Sequence, residues 1–166
     1  MEMNTGKQFE IDFKNSCPST AFIYRFRDSA SSFYSSEKTR FTPSNICDYM
    51  IYDDNTRILF LLELKTTRGS SLSLNNIRDT QIKQLTNASK HNIQAGFIVN
   101  FREKNNYTAY LHISKFNKMI KNIGKKSFNI EDMVKADCIE IESQIKRTHY
   151  SYNLKDFLKK VKGESI

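Results

Sequence analysis

The chain has 166 residues, a mass of 19.4 kDa, a formal charge of +8 and a pI near 9.4. This length predicts a single domain over residues 1–166. No apolar run is long enough to cross a membrane and no signal-peptide pattern is found, so we expect a cytoplasmic protein. Three widely spaced cysteines argue against a disulfide framework or a zinc knuckle. The positive charge favours a polyanionic partner, although a basic pI alone is weak support.

The first part of the chain predicts a helix, a strand, a polar loop and a pair of strands. These elements are expected, in that order, at residues 5–16, 21–27, 28–42, 46–52 and 57–65. The helix is predicted by Phe9 and Phe13, which lie one turn apart, and the loop by its many serines. The last strand is apolar on both faces, which is typical of a covered central strand, and a turn at residues 53–55 joins it to the strand before.

The rest of the chain predicts helices alternating with strands and contains no internal repeat. After a loop at residues 66–73, helices are expected at about 75–91, at 114–122 with Ser114 as cap, near 130–135, and at the end with Asn153 as cap. Strands are expected at 96–101 and 107–113 around a turn at 103–106, with shorter pieces near Ile139 and Tyr150. This order predicts a mixed α and β fold.

Two carboxylates and a lysine are expected to meet at the end of the central strand. Because side chains alternate along a strand, Glu63 and Lys65 share one face, while Leu62 and Leu64 point the other way. The predicted hairpin can bring Asp48 beside Glu63. Asp48, Glu63 and the Leu64 carbonyl would then offer oxygens to Mg²⁺, and Lys65 could orient a water or neutralise charge on the phosphorane. This set predicts a metal-dependent phosphodiesterase site.

The same residues also have ordinary explanations that involve no metal site. An acid-x-Lys triplet arises by chance about once in a chain of this size, and Asp12-Phe13-Lys14 is such a match on a helix. For Glu63 and Lys65 the alternative is a solvated ion pair at a strand end.

Two polar residues on helices are weaker candidates for the same site. Gln81 faces inward, so its amide needs a partner. That partner is either the sheet, in a structural hydrogen bond, or the metal-bound water or scissile phosphate. Glu10 lies one turn before Lys14, which is the usual arrangement of a weak surface ion pair.

Five short motifs in a fixed order carry a family resemblance. They are Gly6 to Glu10, Thr42-Pro43-Ser44 before Asp48-Tyr49, Glu63-Leu64-Lys65-Thr66, Asp79-Thr80-Gln81-Ile82 and Gly96-Phe97-Ile98-Val99. Their order and spacing resemble the RecU-type Holliday junction resolvases of the PD-(D/E)xK nuclease superfamily. The resemblance spans roughly residues 6–135.

The resemblance implies an α/β, restriction-endonuclease-like (PD-(D/E)xK) core with a mixed central β-sheet flanked by helices. It also implies a homodimer, dependence on Mg²⁺ or Mn²⁺, and paired nicking of four-way DNA junctions in recombination and repair. Matched by position, Asp48 and Glu63 are the metal carboxylates and Lys65 is the catalytic lysine. Glu10 is the first-helix acid, and Gln81 is the glutamine after the catalytic strand.

Two departures from the family pattern concern substrate selectivity. Ile46 and Cys47 stand where threonines usually precede the aspartate. The family's long stalk would correspond to residues 25–40, a short, serine-rich segment that includes most of the stalk-like loop at 28–42. Five basic residues are candidate phosphate contacts: Arg25, Arg27, Lys38, Arg40 and Arg68.

The sequence therefore predicts a dimeric, Mg²⁺-dependent endonuclease that resolves branched recombination intermediates, of phage or mobile-element origin given its small size. Two alternatives stay open at this point. One is a restriction-type or general structure-selective endonuclease of the same fold. The other is a basic DNA-binding module whose carboxylates no longer support turnover.

Overall fold

The computed structural model describes residues 5–26 and 45–164. Within these residues the strands are β1 (Ala21–Arg25), β2 (Tyr49–Asp53), β3 (Ile58–Thr67), β4 (Ser71–Ser73), β5 (Gln94–Phe101), β6 (Tyr107–His112), β7 (Ser127–Asn129), β8 (Ile139–Glu140), β9 (Ser143–Lys146) and β10 (His149–Tyr152). The α-helices are α1 (Thr5–Asn15), α2 (Asp79–Ser89), α3 (Ile113–Asn122), α4 (Ile130–Lys135) and α5 (Leu154–Glu164). A single 3₁₀ turn, Leu74–Asn76, precedes α2.

A six-stranded mixed sheet forms the centre of the fold, with the strand order β1-β2-β3-β5-β6-β8. Neighbouring strands are antiparallel except β3 and β5, which are parallel and connected through α2. Strand β3 thus has a partner on each side, as the apolar residues on both its faces predict. The strand that carries the candidate residues is therefore one of the two central strands of the sheet, beside β5.

Helices cover both faces of the sheet. On one face α2, α3 and α4 pack around buried residues that include Leu61 of β3 and Phe97 of β5. On the other face α1 and α5 pack around Leu62 and Leu64 of β3 and Phe157. The alternation of side chains along β3 separates the two cores, and the predicted α/β class, a mixed sheet flanked by helices, is confirmed.

Gly96 is needed where β5 pairs with β6. A Cβ atom at this position would lie 2.4 Å from the backbone oxygen of Leu111 and 2.8 Å from the ring of Tyr110. Both distances are shorter than real contacts allow, so any larger residue would force the two strands apart.

The structure differs from the predicted loop at residues 66–73. Strand β3 continues through Thr67, and β4 forms a second small sheet with β7, in which Leu72 lies opposite Phe128. Both of these side chains are buried. The partner strand lies more than fifty residues further along the chain, so no local pattern could indicate the pairing.

Several predicted boundaries also move. Strand β2 starts at Tyr49, so residues 46–48 precede it, and the helix expected from residue 75 begins at Asp79. His112, not Ser114, caps α3, because its Nδ1 accepts the backbone N–H of Ser114 at 3.2 Å. Short strands β7 and β9 were not expected from the sequence.

Other expectations are met or lie outside the described residues. Asn153 caps the last helix as expected, since its Oδ1 accepts the N–H of Asp156 at 3.2 Å. The predicted loop at 28–42 lies outside the described residues, as do Arg27, Lys38 and Arg40. Among the described helices, none is both long enough and apolar enough to span a membrane.

Candidate active site

The β2–β3 hairpin brings Asp48 to the middle of β3. The register pairs Tyr49 with Leu62, so the residue before β2, Asp48, faces Glu63. Asp48 Oδ2 accepts the backbone N–H of Leu64 at 2.7 Å. Asp48 precedes the first residue of β2, so this N–H is not paired with a backbone carbonyl of β2. The Asp48 carboxylate accepts it instead. The backbone of β3 therefore fixes the Asp48 side chain.

Glu63 is a buried carboxylate with two side-chain donors. It is 4% exposed, and its Oε1 lies 2.9 Å from Lys65 Nζ. The same oxygen accepts a hydrogen bond from Gln81 Nε2. A buried carboxylate needs such partners, because an unpaired charge in the interior is costly. As the strand period requires, Lys65 lies on the same face as Glu63.

Gln81 joins the start of α2 to the candidate site. Its Nε2 donates to Glu63, while its Oε1 accepts the backbone N–H of Arg78 at 3.1 Å, as part of a capping box. The inward orientation predicted for Gln81 is confirmed, since the residue is buried. Its partner is the candidate metal ligand itself, so the amide both caps the helix and orients Glu63.

The site carries an excess of negative charge. Burial is the main reason that the pKa of Asp48 is raised to about 7, and the charge of Glu63 raises it further. The Leu64 N–H and Lys65 oppose this shift, while Glu10 adds to it. Burial, followed by the charges of Glu63 and Asp48, raises the pKa of the neighbouring Cys47 to about 12, so that thiol stays protonated at neutral pH.

These residues fit a hard divalent cation with water in its shell. Across residues 5–26 and 45–164, no group of three or more His, Cys, Asp or Glu side chains is placed to hold a metal ion. Mg²⁺ does not require such a cage, since it usually keeps several waters and binds through one or two carboxylates. Asp48, Glu63 and the Leu64 carbonyl offer that donor set.

Glu10 is placed differently from the sequence expectation. Its Oε2 accepts hydrogen bonds from Arg25 Nε at 2.9 Å and Nη2 at 2.7 Å, so its ion-pair partner is Arg25 and not Lys14. The Tyr49 hydroxyl donates to the backbone oxygen of Glu10 at 3.2 Å and ties α1 to the start of β2. The expected pair was wrong because the end of β1 passes beside α1, a contact that the local spacing of residues does not reveal.

Two of the five basic residues expected to contact DNA, Arg25 and Arg68, lie in the described part of the chain. Arg25 has Glu10 as a partner and is partly exposed. Arg68 is exposed in the turn between β3 and β4.

Two buried polar clusters were missed by the sequence analysis. Asp12, dismissed there as part of a chance triplet, is hydrogen-bonded to Gln8 and to the β10 strand. Asn100 is buried in β5 and accepts a hydrogen bond from Thr66 at 2.9 Å. The signal was present for the second cluster, because an asparagine inside the apolar run of residues 95–101 must have buried partners.

Comparisons with known proteins give one family and two similar proteins. The profile of the family described as "RecU: Recombination protein U" matches residues 14–156. The chain is 30% identical, over 174 residues, to the SPbeta prophage-derived uncharacterized protein YotM of Bacillus subtilis (strain 168), covering 98% of this chain and 87% of that protein. The crystal structure of Hjc, a Holliday junction resolvase from Archaeoglobus fulgidus, is similar with a TM-score of 0.46 and 12% identity, covering 81% of this chain and 91% of that chain. The family match includes Asp48, Glu63 and Lys65 but begins after Glu10.

Proposed function

Because the chain belongs to the recombination protein U family and is a Holliday junction resolvase, we propose that it nicks four-way DNA junctions at a site formed by Asp48, Glu63 and Lys65. One observation carries the assignment of the site. Asp48 faces Glu63 across the β2–β3 hairpin, and Lys65 contacts the Glu63 carboxylate at 2.9 Å. Nucleases of this family are metal-dependent enzymes acting on branched DNA, and we propose Mg²⁺ as the metal, with Mn²⁺ able to replace it.

Each side chain has a distinct role in the proposed reaction. Asp48, Glu63 and the Leu64 carbonyl would hold the cation, which would supply Lewis acidity and lower the pKa of a bound water. Gln81 keeps the Glu63 carboxylate oriented through its amide hydrogen bond. The Lys65 ammonium orients the attacking water and offsets the negative charge that grows on the phosphorane.

We also propose that the working form is a homodimer. A four-way junction has near two-fold symmetry, and resolving it into two duplexes requires two nicks on opposed strands. With one site per chain, two chains related by a two-fold axis are needed. We propose that residues 28–42, which include Lys38 and Arg40, contact the junction centre together with the adjacent Arg27. All of them lie outside the described residues.

The relative named as prophage-derived supports a phage or mobile-element origin for this chain. A DNA substrate formed during recombination also supports a cytoplasmic location for the protein in a bacterial host. A general structure-selective endonuclease on the same fold remains the second reading, since the stalk-like segment at 28–42 is short.

One assay separates these readings. Purified protein is incubated with a labelled four-way junction, a flap and a linear duplex, with Mg²⁺ or with EDTA. We expect symmetric nicks in the junction only when the metal is present, and a dimer by sedimentation with DNA at micromolar concentration. Equal cutting of linear duplex, or a monomer under these conditions, would favour the general endonuclease.

A further inference from the structure

The β9–β10 hairpin has a basic tip. Lys146 and Arg147 are exposed, and neither forms an ion pair with any described residue. The two positive charges of the tip are therefore available to an external anion.

The hairpin is fastened to α1 through a buried carboxylate. Asp12 is 2% exposed, and its Oδ2 accepts the backbone N–H of Tyr150 at 3.0 Å. Its Oδ1 lies 3.0 Å from His149 Nδ1 and accepts from Gln8 Nε2 at 2.6 Å. An isolated two-stranded hairpin is marginally stable in water, so these contacts with α1 help to hold this one in place.

A second buried network of hydrogen bonds joins the hairpin to β3, the strand that carries Glu63 and Lys65. Thr66, the residue after Lys65, donates to Asn100 Oδ1 at 2.9 Å, and Asn100 Nδ2 donates to Asn106 Oδ1 at 2.9 Å. Asn106 Nδ2 in turn donates to Ser143 Oγ at 2.9 Å and to the Tyr152 hydroxyl at 3.3 Å. Asn100 is 0% exposed, and a buried network that is fully hydrogen-bonded favours a single arrangement.

Arg102 adds a third basic group beside the hairpin. Its backbone N–H bonds to the Thr67 carbonyl at 2.9 Å, which places it at the end of β3 that follows Lys65. Its guanidinium lies 5.8 Å from the centre of the Tyr150 ring, a cation–π contact, and donates to the Thr5 carbonyl at 3.4 Å. The base of the hairpin therefore lies at the same end of the sheet as the end of the catalytic strand.

We infer that Lys146 and Arg147 bind the phosphate backbone of one duplex arm of the branched DNA. The tip extends about 10 Å beyond Ser143, at 3.3–3.4 Å per strand residue. The two buried networks fix its position relative to the strand that carries Glu63 and Lys65. Contacts to phosphate position DNA without reading its sequence, so this surface orients an arm and leaves the chemistry unchanged. The inference rests on the proposed function, because it assumes a DNA substrate.

The test compares charge reversal at the tip with the same change elsewhere. The double variant Lys146→Glu/Arg147→Glu is matched by Lys159→Glu/Lys162→Glu on exposed positions of α5. Binding of a fluorescent four-way junction is measured by anisotropy in EDTA across a salt series. Each lost phosphate contact reduces the magnitude of the slope of log affinity against log salt by about 0.9. For the tip variant, which loses two contacts, the magnitude of the slope should therefore fall by about 1.8. The α5 variant should keep the wild-type slope.

A second, less disruptive variant controls for structural damage to the hairpin. Arg147 has a φ of 59°, a conformation that glycine adopts easily, so Lys146→Gln/Arg147→Gly removes both charges without straining the turn. It should show the same loss of slope as the charge-reversal variant.

Equal slopes for the wild type and both tip variants would overturn the inference. This outcome is distinct from failure of the proposed function, in which the wild-type protein itself would not cut the junction with Mg²⁺. A slope that falls equally in the tip and α5 variants would also overturn it, because the effect would then come from net charge and not from the hairpin.

Discussion

The side-chain amide of Gln81 donates to Oε1 of Glu63, the same oxygen that lies 2.9 Å from Lys65 Nζ. The first turn of α2 and strand β3 are therefore joined at the carboxylate proposed to bind the metal. With Oε1 engaged by these two donors, the orientation of the whole carboxylate is set before any cation binds.

Gln81→Ala should lower cleavage at a fixed Mg²⁺ concentration by about 10–100-fold, the usual effect of losing a partner that orients a metal ligand. Junction binding in EDTA should stay close to wild type, and higher Mg²⁺ should restore part of the rate. Gln84→Ala is the matched control, because Gln84 Oε1, on the same helix, has no hydrogen-bond partner among the described residues. Equal rates for the two variants would remove Gln81 from the site.

The Glu10–Arg25 pair can be tested by coupling. Effects of Glu10→Gln and Arg25→Ala on the cleavage rate should be non-additive, because the two side chains contact each other at 2.7 Å. Lys14→Ala, which removes the partner that the sequence suggests, should combine additively with Glu10→Gln. Cleavage rates of the single and double variants provide the measurement, and coupling of Glu10 to Lys14 instead would contradict this placement of Arg25.

Asp12→Ala should destabilise the protein by about 2–3 kcal/mol, since it leaves the N–H of Tyr150 and the amide of Gln8 without their buried acceptor. Urea unfolding followed by circular dichroism measures the change. Asp156→Ala, which removes only a helix-surface pair with Lys160, should cost no more than about 0.5 kcal/mol. A similar loss for both variants would mean that the Asp12 cluster does not anchor the hairpin.

Gly96→Ala should destabilise by about 1–3 kcal/mol, because the added methyl group would lie 2.4 Å from the Leu111 carbonyl oxygen. Gly163→Ala makes the same change in α5, where no atom lies within 4 Å of the new Cβ. It should stabilise by up to about 1 kcal/mol through helix propensity. Thermal unfolding of both variants gives the comparison, and a neutral Gly96→Ala would refute the close approach of β5 and β6.

The sequence predicted the parts of this fold that local patterns determine. The apolar faces of β3 identified a covered central strand, and the period of two placed Glu63 and Lys65 on one face. Helical spacing also predicted that Gln81 faces inward, and in the structure its amide contacts Glu63.

Contacts between distant segments could not be predicted in this way. The β4–β7 pairing, the Glu10–Arg25 ion pair and the bond from Asp12 to Tyr150 each join residues with no shared local pattern. The spacing of Glu10 and Lys14 even suggested a different partner. Such contacts depend on how the helices pack against the sheet, which periodicity alone does not determine.

The most direct test of the central claim is to measure binding and cleavage together in Glu63→Gln and Asp48→Asn. Each variant removes one proposed metal ligand and one negative charge close to the scissile phosphate. With a labelled four-way junction, we predict no detectable cleavage in Mg²⁺ and affinity in EDTA that is equal to or tighter than wild type. Near wild-type cleavage by either variant in Mg²⁺ would contradict the assignment of this site.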